Sequence, residues 1–260
     1  MHPRPTLRIL RAAERPRVRL LCLPCAGGGA GTFSRWRAVV PADVELVAAQ
    51  LPARQDRLGE PPCTRVAAIV ELLAAELRRL RPAPLALFGH SFGALVGFEL
   101  ARLAAGAGAS PVLLTVAAAL APQRVRGGVP LHRLADADLL AAMENWFGAR
   151  YGELADPELV AAVLRPLRAD LEALETYTFV PGPALPCRLA VHGGRADDSL
   201  APEELRAWQQ HGAGEFREHW FDAGHFLVDE RWREVALTTL ADLDAAMQDR
   251  PAAAPSWAVP

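Results

Sequence analysis

Five residues, Gly89-His90-Ser91-Phe92-Gly93, constrain this chain more than any other stretch. They lie between the apolar run Leu85-Ala86-Leu87-Phe88 and a segment of helical composition from Ala94 to Leu103. The order therefore reads strand, sharp turn, helix. This is the context of the G-x-S-x-G nucleophile elbow, in which a serine takes a strained backbone conformation and its hydroxyl stands clear of the sheet edge. A side chain at position 89 or 93 would keep strand and helix apart, so both positions require glycine. A glycine-rich connection with an incidental serine is the competing reading; the agreement of pentapeptide, upstream strand and downstream helix favours the elbow.

The rest of the chain alternates in the same sense. Val18–Leu23 is an apolar run that stops at Pro24-Cys25-Ala26-Gly27-Gly28-Gly29, a buried strand feeding a glycine-rich loop. Phe33–Val40 reads as a short helix and Val44–Leu51 as a strand. Leu51–Arg57 breaks the periodicity and is expected to be surface loop, its arginines solvated or set against a partner. Over Arg65–Leu80 the residues Val66, Ile69, Val70, Leu73, Leu77 and Leu80 recur at three and four, one face of a helix that Pro82 and Pro84 end. Pro111–Ala117 is the next strand. From Pro122 to Val180 the alternation lapses into helical composition without a strand, which predicts a helical insertion over the carboxyl edge of the sheet, where open α/β folds bind ligands. Cys187–His192 and Glu215–Phe221 are the last strands, separated by a helix over Pro202–Gln210, and a closing helix runs through Ala246.

The expected fold class is α/β, a mostly parallel sheet with helices on both faces. A chain of 260 residues suits one large domain with an insertion. The expected division is core over 1–121, helical insertion over 122–180, core again over 181–248, and a frayed proline- and alanine-rich tail over 249–260.

Composition removes several alternatives. The formal net charge of −2 at pH 7 gives no electrostatic footprint for nucleic acid. The chain contains no lysine and much alanine, a coding bias, so arginine frequency alone carries no chemistry. Met1–Pro16 is basic but lacks the apolar core of a secretory signal, and Val112–Ala121, interrupted by Thr115, is too short to span a bilayer. A cytoplasmic protein without membrane attachment is expected. Cys22, Cys25, Cys63 and Cys187 make no disulfide framework, and Cys22-x-x-Cys25 ends an apolar strand with no second pair or histidine at ligand spacing, so it reads as core. The glycine loop lacks a P-loop lysine and the dinucleotide spacing. No metal and no organic cofactor is expected.

A serine hydroxyl is a weak nucleophile until a base takes its proton, and the base needs an acid to fix its tautomer and stabilise its cation. In folds that carry the elbow these arrive in the order Ser, Asp or Glu, His. Here Ser91 is followed by Asp197, in the turn after one late strand, and His225, in the turn after the next. Asp198 competes with its neighbour; Gly194-x-x-Asp197 lets the carboxylate leave the strand end directly, which favours Asp197. Asp222 is a third candidate. His90, inside the elbow, is expected to pack or orient the turn, and His192, at a strand end, to be core or to support the acid. His132, His211 and His219 have no matching context, and His2 is terminal. Oxyanion stabilisation is expected from the backbone N–H of Phe92 and one from the glycine loop, Ala26 in preference to Cys25 or Gly27.

With these residues located, the sequence resembles the type II thioesterases, stand-alone α/β-hydrolases that serve polyketide synthases and nonribosomal peptide synthetases. The resemblance is carried by Leu23-Pro24-Cys25-Ala26-Gly27-Gly28, Gln50-Leu51-Pro52-Ala53-Arg54, Leu87-Phe88-Gly89-His90-Ser91-Phe92-Gly93-Ala94 and Phe98-Glu99-Leu100-Ala101-Arg102. Within the insertion, Pro166-Leu167-Arg168-Ala169-Asp170 and Leu174-Glu175-Thr176-Tyr177 resemble that family's lid helices. The resemblance implies the α/β-hydrolase fold and a triad on Ser91, Asp197 and His225. It also implies hydrolysis of aberrant or stalled acyl thioesters from the phosphopantetheine arm of acyl or peptidyl carrier proteins. Carrier domains are usually acidic, so Arg54, Arg57, Arg124 and Arg126 are candidates to steer docking, with plain solvated surface as the alternative.

The chain departs from the family pattern at Ala53, where glycine is frequent, at Phe92, where methionine is common, and at Asn145-Trp146-Phe147-Gly148, where a Gly-Gly pair is frequent. Asp198-Ser199-Leu200 looks like a carrier's attachment motif, but it follows a strand in a hydrolase loop and is read as coincidence. A small-ester hydrolase or lipase, and an inactive hydrolase-fold binding module, are the competing functions.

Overall fold

Strands at Leu7–Arg11 (β1), Val18–Leu23 (β2), Val44–Ala49 (β3), Leu85–His90 (β4), Leu113–Ala117 (β5), Arg188–Gly194 (β6) and Phe216–Phe221 (β7) form one sheet in the order β1-β3-β2-β4-β5-β6-β7. This architecture comes from a computed structural model, which describes residues 4–125, 128–149 and 156–249. All neighbours are parallel except β1, which runs antiparallel to β3. β2, β3, β4 and β5 are buried along their whole length, as continuous apolar strands in a sheet covered on both faces must be. The charged exceptions are adjacent: Arg19 of β2 lies in register with Glu45 of β3, and the two form a buried ion pair.

Helices cover both faces. Val66–Leu77 (α1) turns Val66, Ile69, Val70, Leu73 and Leu77 onto Leu21, Leu87 and Leu114 of the sheet, together with Phe92–Gly106 (α2). On the other face Trp232–Gln248 (α7) packs Val235, Leu240 and Leu243 beside a 3₁₀ segment, Ala30–Ala38. That segment sets Phe33 and Trp36 edge-on to Phe88, with centroids 5.4 to 5.9 Å from Phe33 and 4.9 Å between Trp36 and Phe88. Two short helices, Pro202–Arg206 (α5) and Leu227–Glu230 (α6), complete the set with the two described next. Among the described residues no helix is long and apolar enough to cross a membrane.

Between β5 and β6 the described residues form no strand. They form 3₁₀ turns at Pro122–Arg124 and Leu131–Arg133 and two helices, Asp136–Phe147 (α3) and Pro157–Glu175 (α4). Leu131, Leu139, Met143, Leu164, Leu167 and Leu171 give this segment its own small core. Asp156 caps α4 by accepting the Glu158 N–H, and Gly148 ends α3 in a left-handed conformation.

One element goes unanticipated here and one expectation fails. Leu7–Arg11 was assigned no element from the sequence; its LRILR pattern is short and charge-rich, and it becomes a strand only by pairing at the sheet edge, where arginines discourage further pairing. Leu51–Arg57 is no surface loop: Leu51, Pro52, Ala53, Arg54 and Arg57 are all buried. The cause is α4, which crosses over the loop and meets it with Asp170 and Arg165.

Candidate active site

β4 delivers His90, and the chain then reverses at Ser91, whose φ of 53° and ψ of −118° lie outside the ordinary regions for a residue with a side chain. Its N–H donates to Ala117 O at 2.8 Å, fixing the elbow to β5. A Cβ on Gly89 would lie 2.4 Å from Ala94 Cα, and one on Gly93 would lie 2.3 Å from Leu23 O. Both glycines are therefore needed for the close pass of α2 over β2 and β4.

Ser91 Oγ lies 3.1 Å from His225 Nε2, and His225 Nδ1 donates to Asp197 Oδ2 at 2.9 Å. Asp198, the competing acid, makes no hydrogen bond to His225 and is exposed. Burial alone would raise the Asp197 carboxyl, but the bonds from His225 and from Ser199 outweigh it and hold the group below the usual carboxylate range. Ser199 supplies two of those bonds to Asp197 Oδ1, from its hydroxyl at 2.5 Å and its N–H at 3.1 Å. Sequence reasoning set Ser199 aside as a coincidental carrier motif. The signal it missed is the Asp-x-Ser turn, in which a side-chain oxygen collects donors two residues on.

His90 is fully buried and places Nε2 2.8 Å from the carbonyl oxygen of His225. Burial, then the nearby His225, push its pKa down to about 3, so the ring is neutral and donates through Nε2. It thus holds the backbone of the residue that faces Ser91. Cys25 lies at the cavity wall, and burial together with Asp229 and Asp170 pushes its thiol up to about 12, which keeps it protonated and unreactive.

The glycine loop and the helix start of α2 meet beside Ser91. Gly27 N–H is taken by Asp170 Oδ2 at 2.8 Å, and Gly28 N–H by Cys25 O at 2.9 Å. The N–H groups of Ala26 and Phe92 have no hydrogen-bond partner among the described residues, and both residues line the cavity that contains Ser91 and His225. Arg54 closes the loop from behind with Nη1 to Asp170 Oδ2 at 2.7 Å, Nη2 to Asp170 Oδ1 at 2.9 Å and Nη1 to Gly28 O at 2.8 Å. Arg57 is likewise buried, bonded to Thr6, Gln50 O and Glu60. Neither guanidinium can meet a docking partner, which corrects their assignment as steering charges. Arg124 stays at the surface beside Glu204, and Arg126 lies outside the described residues.

The cavity measures about 620 Å³ and is walled mainly by Leu95, Met143, Trp146, Phe147, Leu171 and Leu174. Phe147, from α3, sets its ring 4.9 Å from that of His225. A larger recess of about 840 Å³ between α1, α2 and the chain after α4 contains none of these groups, so the chemistry belongs to the smaller cavity. It brings together a hydroxyl, a base hydrogen-bonded to it, free amide donors and a mainly apolar wall, which suits acyl transfer.

The thioesterase domain family matches residues 18–242 of the chain. The gramicidin S biosynthesis protein GrsT of Aneurinibacillus migulanus is 34% identical over 215 residues, 82% of this chain and 84% of that protein. Thioesterase PikA5 of Streptomyces venezuelae is 36% identical over 235 residues, 88% of this chain and 82% of the relative. Among solved structures, the type II thioesterase BorB from the borrelidin biosynthetic cluster superposes with a TM-score of 0.85 at 36% identity, covering 94% of this chain and 99% of BorB. The chain belongs to the thioesterase family, and within it to the type II thioesterases of polyketide and nonribosomal peptide pathways, hydrolases of the α/β-hydrolase fold.

Proposed function

We propose that the chain removes aberrant or stalled acyl groups from the phosphopantetheine arm of acyl or peptidyl carrier proteins, with Ser91 as nucleophile, His225 as base and Asp197 as its acid. The observation that carries this reading is the hydrogen-bonded relay Asp197–His225–Ser91 at the foot of an apolar cavity. Such a cavity takes an acyl chain, and the helices over it, α3 and α4, serve as the lid. In the proposed first step His225 Nε2 takes the Ser91 proton as Oγ attacks the thioester carbonyl. The oxyanion faces the N–H groups of Phe92 and Ala26. Collapse breaks the C–S bond, and the proton passes from His225 to the departing thiolate. Water, deprotonated by His225, then attacks the acyl-serine, and the proton returns to Ser91 Oγ as the acid product leaves.

The test compares turnover of one acyl group presented on a holo carrier protein, on free pantetheine and as a simple oxygen ester. Highest kcat/KM on the carrier is expected, with turnover abolished in Ser91→Ala. Retained turnover in Ser91→Ala would overturn the residue roles, while a preference for the oxygen ester would point to a small-ester hydrolase. Failure of a fluorophosphonate to label Ser91 would favour an inactive binding module.

A further inference from the structure

β6 and β7 run parallel with His192 directly in register with His219. Both imidazoles therefore leave the same face of the sheet, the face that α7 covers, and α7 presents Asp242 to them. His192 is completely buried, and neither of its ring nitrogens makes a hydrogen bond of ordinary length and angle, although the Asp242 carboxylate is close enough to act on the ring. Such a group costs about 1–3 kcal/mol if nothing meets it. One ligand atom from each of His192, His219 and Asp242 lies within 4.8 Å of the other two. Asp242 Oδ2 is 2.8 Å from His219 Nε2, and Arg217 Nη1 donates to the opposite oxygen, Oδ1, at 3.1 Å. Arg217 is held in turn by Glu215 at 2.8 Å.

Two imidazoles and one carboxylate are the donor set of zinc and its neighbours in the first transition row. The arrangement also carries the outer partner such sites use, since Arg217 fixes the carboxylate and leaves Oδ2 turned toward the histidines. We infer that His192, His219 and Asp242 bind a divalent transition metal, zinc foremost, that ties β6 and β7 to α7. The half-exposed flank of His219 is the entry path and the place for a water ligand. None of the three residues lines the Ser91 cavity, so the metal has no part in the acyl chemistry. Its place is structural: β6 runs on to Asp197 and β7 to His225, and a bond between them upstream of both turns fixes their separation. No metal was expected from the sequence; these donors come from two strands and a helix, with no short spacing to mark them.

The experiment titrates chelator-treated, tag-free full-length protein with zinc by calorimetry, and with cobalt(II) by visible absorption. One equivalent of zinc is expected, with a ligand-field spectrum for cobalt and a Tm that rises with zinc concentration. His219→Gln, at a partly exposed position, should weaken zinc by at least ~100-fold, and Arg217→Gln, which alters only the outer partner, by ~10-fold. His225→Gln should bind as the wild type does. No zinc binding by the wild type would leave a purely hydrogen-bonded His–Asp–Arg cluster and overturn the proposal. So would binding that survives His219→Gln or disappears with His225→Gln.

Discussion

Asp170 and Asp197 are both buried carboxylates beside a basic side chain, and the choice of base gives them opposite uses. Asp170 meets Arg54 through two parallel bonds of 2.7 and 2.9 Å and takes the Gly27 N–H as a third. A guanidinium keeps its charge at every accessible pH and holds a planar fork, so this pair is a permanent fastening between α4 and the glycine loop. Asp197 meets His225 at 2.9 Å, with Ser199 on its other oxygen. An imidazole can take up a proton and give it back within a reaction, so this pair responds to each transfer at Ser91. Burial of a carboxylate thus says little about its role until the permanence of the partner's charge is known.

The largest effect that would test this contrast lies on the titrating side. Asp197→Asn offers Nδ1 of His225 an amide donor, which favours the tautomer with its proton on Nε2, facing Ser91. The expected loss in kcat is about 10⁴-fold, as at other Ser-His-Asp centres, with little change in Tm. Asp198→Asn should leave kcat near the wild type. Equal losses from the two substitutions would return the acid's role to Asp198.

On the permanent side the effect should appear first in stability. Asp170→Ala leaves Arg54 buried and unpaired, at an expected cost of about 3–5 kcal/mol in denaturant unfolding. Arg54→Met with Asp170→Leu should recover most of that, because apolar replacement removes both charges together. The double variant should still turn over slowly, since Gly27 has lost its acceptor and the loop bearing Ala26 is released. Wild-type kcat in a stable double variant would show that the fastening does not shape the oxyanion site.

The two pairs also differ in how far the sequence disclosed them. Ser91, Asp197 and His225 could be located because each follows a strand, and strand ends on a parallel sheet share one edge whatever lies between them. Strand and helix periods were readable for the same reason: α1 and the buried strands repeat in ways that burial enforces. Arg54 and Asp170 stand 116 residues apart, and nothing local in Leu51–Arg57 announces that a helix will cover it. The loop read as surface because its burial is imposed from a distance. β1 was missed on similar grounds, since its partner β3 supplies the order that its own five residues lack. Ala30–Ala38 was anticipated as a helix over Phe33–Val40 and is a 3₁₀ segment, a distinction of hydrogen-bond register that side-chain pattern does not encode.

A smaller effect concerns what supports the titrating pair. His90 donates to the His225 carbonyl as a neutral ring whose pKa is pushed down to about 3. The unfolded value is near 6.5, so between these limits the unfolded chain binds a proton that the folded chain refuses. Stability therefore falls as pH drops through that window, by up to ~1.4 kcal/mol per pH unit from this one group. Asp197 acts with the same sign at lower pH: its folded pKa is depressed, so its contribution is full above the ordinary carboxylate value and is lost as pH falls through that value toward the folded one. Burial lowers His192 and His211 as well, so the His90 share is read as the difference between wild type and His90→Asn in urea unfolding from about pH 6.5 to 4.5. His90→Asn should flatten that slope by about one proton; an unchanged slope would mean that His90 is charged in the folded protein, and the carbonyl bond would then need another explanation.

The smallest effect sits beside Arg54. Ala53 is buried with a φ of 67°, where a Cβ costs about 1–2 kcal/mol. Glycine would relieve that strain, but it frees the unfolded chain by ~0.4–1 kcal/mol and removes a buried methyl worth ~0.8 kcal/mol. The terms nearly cancel, so Ala53→Gly should change stability by less than ~1 kcal/mol and leave kcat unaltered. Ala53→Val adds a branched Cβ at the same φ, in a fully buried site, and should destabilise well beyond that while loosening Arg54 from Asp170. A large loss from Ala53→Gly would show that the methyl's packing, rather than its backbone strain, sets the position of the Arg54 loop.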